Sequence, residues 1–398
     1  MTLRIAFLLN GMTGYLDAQY RALHKLGDEL LVVTPASPQA SGEAMADTAF
    51  TGLGTEDYAQ VVGWTSPPDP AELVETVRRF EPDAVIMTSW NYTPAYRAVM
   101  KAVDPRVVRV LIMDNVWRAA PKQWLGRAVH RFYVDPVVDA AMVPSDRSEF
   151  YARRLGFGPA DVIRGSLSGD IDLFGSGPRT GEELASHRSF LYVGRLVVHK
   201  GADVLAEAYR AYRARVSDPW DLHVAGIGPL ADRLESIPGV TMHGFVQPPQ
   251  VADLMRAASC LVLTSHIEPY GVVVHEAAAA GLPILCAEFA GAAPGMVQDG
   301  NNGWLVPSGD LNAWAAAMAR MSDAGPERLG TMSDISRAIS QRISPAGWAL
   351  NIHEEVERRK AAGGGRLTSP GTRRLAPTNR KRALPTATSA IDRSQGDR

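Results

Sequence analysis

Cysteine is nearly absent from this 398-residue chain: only Cys260 and Cys286 occur. Two thiols cannot build a disulfide framework, and no His or Cys cluster has the spacing of a zinc site. Both lie in apolar, strand-like runs, which suits a reducing compartment and predicts a cytoplasmic location. Long apolar stretches are lacking as well. No segment approaches the ~20 apolar residues that a membrane helix needs. The run from Ile5 to Leu9 is too short for a secretory leader, so any membrane contact is expected to be peripheral. A dominant charge is missing too. The net charge of −2 gives no general attraction to nucleic acid. No Asp-x-Asp pair directly follows a predicted strand, so no metal is expected to hold a diphosphate there, and no cofactor is expected.

The length exceeds one typical core and predicts two domains. In the first, short apolar runs (Ile5–Asn10, Leu30–Thr34, Val61–Trp64, Ala84–Thr88, Val107–Met113, Ala140–Pro144) alternate with helical patterns. Those patterns include Ala71–Phe80, Tyr92–Val103 and Ser145–Leu155. Gly-, Ser-, Asp- and Pro-rich sequence from Gly165 to Gly181 breaks the rhythm. A second series follows, with strands predicted at Phe190–Leu196, Leu222–Ala225, Val240–His243, Cys260–Thr264, Ile284–Ala287 and Trp304–Val306. Repeated βα units predict an α/β protein with two doubly wound, Rossmann-like parallel sheets. The expected division is a domain at 1–165, a linker at 166–186, a second domain at 187–343 and a terminal helix at 344–360.

Residues 361–398 carry eight Lys/Arg against two Asp and almost no apolar periodicity. They read as a disordered, solvated tail, with attraction to anionic lipid as the alternative. The segment Lys122 to Tyr133 places Trp124, Ala128 and Phe132 on one helical line, with Leu125 and Val129 beside it and basic residues around. Such a helix is expected to pack its apolar line on the first sheet; the other reading is a basic amphipathic helix lying on an anionic membrane.

The densest signal for chemistry is Ser265-His266-Ile267-Glu268-Pro269-Tyr270-Gly271, running into Val272 to Gly281. Glu268 ends a strand and Glu276 lies inside the following helix, with seven residues between them. Gly281 supplies a helix stop and Pro283 follows. A strand, a tight loop and a helix aim free N–H groups and a positive dipole end at one point. An anion fits there, and the two carboxylates can accept hydrogen bonds from sugar hydroxyls.

This stretch, with Gly281-Leu282-Pro283 and the later Asp299 to Pro307, resembles the donor-site signature of the retaining glycosyltransferases of family 4. The resemblance is strong from about Phe190 to Pro307 and weaker before that. It implies the two-domain GT-B fold and transfer of a sugar from a nucleoside-diphosphate donor to a hydroxyl acceptor with retention. It also implies a glycan or lipid-linked acceptor, in cell-envelope or exopolysaccharide synthesis, and no bound metal.

By the same resemblance, Arg195 and Lys200 hold the donor diphosphate. Charge builds on that leaving group as its glycosidic bond breaks, and fixed cations stabilise it without reorganising. A cation at a helix start is otherwise slightly unfavourable, which supports the assignment. Glu276 is expected at the ribose and Glu268 at the transferred sugar, with amides of Tyr270, Gly271 and Val272 completing the cradle. Gly226, in a turn after a strand, is expected near the diphosphate, and Phe245 near the base. Gly11, in Asn10-Gly11-Met12-Thr13-Gly14, faces the diphosphate or the acceptor.

Three departures from the family pattern stand out. The Asn10 to Gly14 loop lacks the usual double glycine. Asp114 occupies a position where many relatives carry His; it binds a sugar hydroxyl, steadies positive charge on the anomeric carbon, or merely caps the next turn. Gly295 follows Pro294 where relatives carry Glu. Two other readings remain open at this level. One is a sugar-nucleotide epimerase on the same architecture, and the other is a non-catalytic sugar-nucleotide binding module.

Overall fold

The computed structural model describes residues 1–37, 50–88, 94–175 and 177–365. The predicted basic tail beyond Gly365 and the start of the Tyr92–Val103 pattern lie outside the described residues. Thirteen described strands form two sheets. The first holds β1 Arg4–Leu8, β2 Glu29–Pro35, β3 Gln60–Trp64, β4 Ala84–Met87, β5 Val108–Ile112, β6 Ala140–Val143 and β7 Val162–Arg164. The second holds β8 Ser189–Val193, β9 Asp221–Ala225, β10 Val240–Gly244, β11 Cys260–Leu263, β12 Ile284–Ala287 and β13 Gly303–Val306.

All pairings within both sheets are parallel, in the orders β3-β2-β1-β4-β5-β6-β7 and β10-β9-β8-β11-β12-β13. Strands buried on both faces explain the near-continuous apolar runs. Within β1, Ala6 and Leu8 join the core on one face, while Ile5 and Phe7 join that on the other. In each sheet the order reverses beside the first strand: β1 lies between β2 and β4, and β8 between β9 and β11. Ligands of such sheets bind beyond the carboxyl ends of strands at these switch points. Here the two switch points face one cleft.

The segment between the domains is partly helical. The predicted linker, 166–186, contains a short helix at Ile171–Phe174 and most of another at Gly181–His187. The latter packs so tightly on the Pro326–Ser340 helix that a Cβ on Gly181 would lie 1.8 Å from the Pro326 carbonyl oxygen. The signal was present in Thr180-Gly181-Glu182-Glu183, where the Thr180 hydroxyl caps the Glu183 amide at 3.1 Å.

A second difference concerns the Pro121–Tyr133 helix. Its expected apolar contact with the sheet is not made. The buried residues on it are Gly126 and His130, while Trp124, Leu125 and Phe132 are exposed.

The terminal helix Pro345–Ala361 crosses back to the first domain. Trp348, Ala349, Ile352 and Val356 enter the core formed by Leu16, Tyr20 and the β1 residues Ile5 and Phe7. Arg359 is fully buried. It donates to Glu355 at 2.6 Å and to the Ala160 carbonyl at 2.8 Å, and it faces buried Asp161 at 3.8 Å. Removing one member of such a buried charge group strands the rest. Arg359→Met is therefore expected to cost about 3–5 kcal/mol. A urea titration followed by tryptophan emission checks this, and an unmoved midpoint would refute the clamp.

Candidate functional site

The loops after β8 and β11 are locked together mainly through their backbones. Thr264 Oγ1 donates to the Gly201 carbonyl at 2.8 Å, and the Ile267 amide donates to the His199 carbonyl at 3.0 Å. Gly201 has φ +70°, and a Cβ there would meet the Thr264 carbonyl at 2.1 Å. Beneath the first loop, the Tyr192 hydroxyl lies 3.1 Å from the carbonyls of both Arg195 and Lys200. Behind the second loop, the Gly291 amide donates to the Glu268 carbonyl at 3.1 Å and the Ala292 amide to that of Tyr270 at 2.8 Å. Two glycine-dependent contacts thus hold a small backbone frame.

Lys200 and Glu268 meet inside this frame. The Lys200 Nζ donates to both Glu268 oxygens, at 2.9 and 2.8 Å, and Ser265 Oγ donates to Glu268 Oε2 at 3.1 Å. Glu268 is only 8% exposed. Lys200 is thus already paired, where the sequence suggested a cation free for phosphate. Arg195 stands exposed on the wall of the cleft. Burial chiefly, then the charges of Arg195 and Lys200, push the His199 imidazole down from its ordinary range.

The cleft has a volume of about 920 Å³. The first domain contributes Gly11 and Asp114 to its lining, and the second contributes Arg195, Gly226, Phe245, Val272 and Glu276. The structure thus brings together seven of the residues singled out from the sequence. Glu276 rises from the Val272–Ala279 helix, whose first amides have no partner within the helix. Burial chiefly, and then the charge of Asp170, push its carboxyl up to about 8. Burial likewise raises Asp114, with the Glu268 charge adding to it. Ser148 Oγ, on the Asp146–Leu155 helix, donates to the Asp114 carbonyl at 3.0 Å.

The structure adds a local reason to three of these positions. The Tyr270 side chain is 4% exposed and belongs to the core of the second domain, leaving only its backbone for a ligand. Gly271 has φ +90°, and a Cβ there would lie 2.9 Å from Glu268 Cγ. Gly226 is required because a Cβ would sit 1.9 Å from the Gly194 carbonyl, which lets the loops after β8 and β9 touch.

Interdomain contacts close the cleft at several points. The Gly169 amide donates to His275 Nδ1 at 2.9 Å, which leaves the proton on Nε2 to bond the Ser340 carbonyl at 2.9 Å. Phe50 meets Phe245 edge-on at 5.8 Å. A Cβ on Gly14 would touch Pro248 at 3.1 Å.

Sequence reasoning missed a second cavity of about 480 Å³ that Glu268 helps to line. Trp117, Arg118, Arg147 and Phe150 line it from the first domain, and Glu268 and Phe289 from the second. Arg147 Nη2 donates to the Glu288 carbonyl at 2.7 Å, and its guanidinium lies 5.4 Å from the Phe289 ring centre. Arg147 is a cation in the first turn of its helix, the same electrostatic oddity that marked Lys200. Asp170 and Arg21, also on the main cleft, were missed as well. Asp170 begins an Asp-x-Asp triplet with Asp172, but it caps the Ile171–Phe174 turn through the amides of Asp172 and Leu173. Among the described residues, no three His, Cys, Asp or Glu side chains group as metal ligands.

Comparison with known proteins agrees with this geometry. Residues 10–164 match a family model described as "Glycosyl transferase 4-like domain", and residues 187–324 match "Glycosyl transferases group 1". Both domains are thus glycosyltransferase domains. A D-inositol 3-phosphate glycosyltransferase of Streptomyces griseus subsp. griseus is 34% identical over 173 residues, 40% of this chain and 36% of that one. D-inositol 3-phosphate glycosyltransferase 2 of Catenulispora acidiphila is 31% identical over 243 residues, 54% of this chain and 55% of that one. The chain therefore spans between 36% and 55% of the length of these relatives. Among solved structures, Anabaena Alr3699/HepE in complex with UDP-glucose superposes with TM-score 0.70 at 19% identity, covering 89% of this chain and all of that one. Sucrose-phosphate synthase of Thermosynechococcus elongatus gives TM-score 0.67 at 19% identity, covering 91% and 100%. The fold is GT-B.

The raised Glu276 carboxyl has a measurable consequence. Between its ordinary value near 4.5 and about 8, the folded chain holds a proton that the unfolded chain has lost. Stability therefore falls as pH rises through that window, with the full cost above about 8. Glu276→Gln removes the cost. Its melting temperature is expected to match wild type at pH 4 and to exceed it increasingly towards pH 9. A constant offset across this range would contradict the burial of this carboxyl.

Proposed function

We propose that this chain, two glycosyltransferase domains on a GT-B frame, is a retaining glycosyltransferase of family 4. It moves a sugar from a nucleoside diphosphate to an acceptor hydroxyl. One observation carries the reading: Arg195 and Glu276 line one cleft faced by two strand-order reversals, and the segments after β8 and β11 that bear them also bear the Lys200–Glu268 pair. The UDP and UDP-glucose complexes of the Anabaena neighbour make a uridine-diphosphate sugar the first donor to test.

In this reading Glu276 accepts from the ribose hydroxyls, and Phe245 flanks the base. Arg195 and the first amides of the Val272–Ala279 helix meet the diphosphate. Lysine carries three N–H donors, and the Glu268 oxygens engage only two of them. The third is left for a phosphate oxygen while Glu268 receives the sugar hydroxyls. The bond from the anomeric carbon to the phosphate oxygen breaks, and the acceptor oxygen bonds that carbon on the same face. The acceptor proton passes to the departing phosphate oxygen. Negative charge on that leaving group is what Arg195 and Lys200 stabilise in the transition state.

In this reading the acceptor enters by the second cavity, which Glu268 lines. Its two carboxylates are already paired, Glu268 with Lys200 and Asp146 with Arg164, so Arg118 and Arg147 set its charge. Envelope glycans and lipid-linked glycans, the class the resemblance implies, and phosphorylated polyols, the class in the relatives' names, are the acceptors to compare. The reaction is assigned to the cytoplasm, where the buried thiols of Cys260 and Cys286 stay reduced. Contact with a membrane would be at its surface, since no described helix is long and apolar enough to cross one.

Arg195→Ala and Lys200→Ala are each expected to lower turnover by about 100-fold or more. Glu276→Ala should weaken binding of UDP itself, whereas Glu268→Ala should spare UDP and weaken the intact donor. Because Lys200 and Glu268 share one buried contact, their double variant should lose about 1 kcal/mol or more less than the sum of the singles. Steady-state kinetics and calorimetry check these outcomes. Strict additivity, or full turnover in both cation variants, would sink the assignment.

A further inference from the structure

The Pro121–Tyr133 helix is amphipathic in the opposite sense to a helix that covers a core. Trp124 is 48% exposed, Leu125 63% and Phe132 79%. At about 100° per residue, Pro121, Trp124, Leu125, Ala128 and Phe132 share an arc of roughly 100°. That arc is the solvent-facing centre of the helix. Arg127 and Arg131 follow along one edge of it, and Lys122 lies along the other. The helix contains no Asp or Glu. Its inner side is Gly126 and His130, small and polar.

The surface continues beyond the helix. Phe150, on the Asp146–Leu155 helix, is 50% exposed, and Arg154 lies over it at 4.8 Å. Trp124 packs edge-on against Trp117 at 5.1 Å, and Trp117 lines the second cavity. An exposed aromatic and aliphatic patch edged by cations thus runs to the mouth of that cavity. Contiguous apolar exposure of this kind marks a docking surface.

We propose that this face docks on a membrane surface rich in anionic lipid, with the mouth of the second cavity turned towards the bilayer. An apolar centre flanked by basic residues is the pattern of a helix lying at the lipid interface. A second copy of the chain fits less well, because a two-fold contact would bring the same cations against one another. Docking itself stands on the Pro121–Tyr133 helix. Only its orientation rests on the proposed entry of the acceptor through the second cavity.

The test is sedimentation of the full chain with lipid vesicles, which requires neither donor nor acceptor. Vesicles containing about 30% phosphatidylglycerol should carry the protein down at low salt, and phosphatidylcholine vesicles should do so about tenfold less well. Raising salt to about 0.5 M should release it. Leu125→Ser with Phe132→Ser, and separately Lys122→Gln with Arg131→Gln, should each weaken binding about tenfold. Circular dichroism and UDP binding should be unchanged in both, since these side chains are outside the fold's core. A chain ending at Gly365 should keep its affinity. Absence of vesicle binding at low salt would overturn the proposal. So would binding that survives both double variants but is lost with residues 366–398, which would assign it to the tail. A dimer that dissociates in the Leu125→Ser, Phe132→Ser variant would overturn it in favour of a second copy. Vesicle binding without UDP binding would leave docking intact and refute the nucleotide reading alone.

Discussion

The contact between Lys200 and Glu268 is the constraint around which the second domain's site is arranged. A buried ion pair repays its desolvation only when geometry is good and the remaining lone pairs are satisfied. The backbone meets that demand. Gly201 lies against the Thr264 carbonyl, Ile267 bonds to His199, and Gly291 supports Glu268 from behind. Ser265 supplies the additional hydrogen bond to the carboxylate. Gly271 is in the left-handed region, and a Cβ there would also strike Glu268. Several glycines scattered along the sequence therefore serve one interaction. Glu268 of this pair also lines the second cavity.

The cleft depends equally on how the two domains are tied. The terminal helix Pro345–Ala361 follows the second domain in sequence but buries Trp348, Ile352 and Val356 against the first. Ser166, just after β7, accepts from Trp348 Nε1 at 3.0 Å and from Gln19 Nε2 at 3.3 Å. His275 joins the linker at Gly169 to the Ser340 carbonyl, one residue before Glu276. The residue that lines the cleft is thus adjacent to one bonded to the segment that joins the domains.

Strands were legible because their residues are buried on both faces, and a short β-branched run between turn residues fits little else than a buried strand. The glutamates were legible from their spacing and their neighbours in the signature, and the two cations because positive charge at a helix start carries an electrostatic cost that implies a ligand. The same cost marks Arg147 as well as Lys200, yet only the second cavity brings Arg147 to notice. The Gly181–His187 helix hides in a composition dominated by Gly and Ser, although its cap at Thr180 is visible in the sequence. The Pro121–Tyr133 helix was expected to hide its apolar line. Periodicity shows that a helix has an apolar face, but not which way the face turns.

By itself the sequence determined two parallel α/β domains, the loops that bear charge at their strand ends, and the acidic pair Glu268 and Glu276. These follow from local rules: residue period, caps and the cost of misplaced charge. Only the tertiary structure decided that Lys200 is held by Glu268, that Asp114 and Glu276 share one cleft, and that Trp124 and Phe132 face outward. Those facts depend on residues far apart in the chain meeting across two sheets. No spacing along a single strand or helix encodes the distance between elements that touch only after folding.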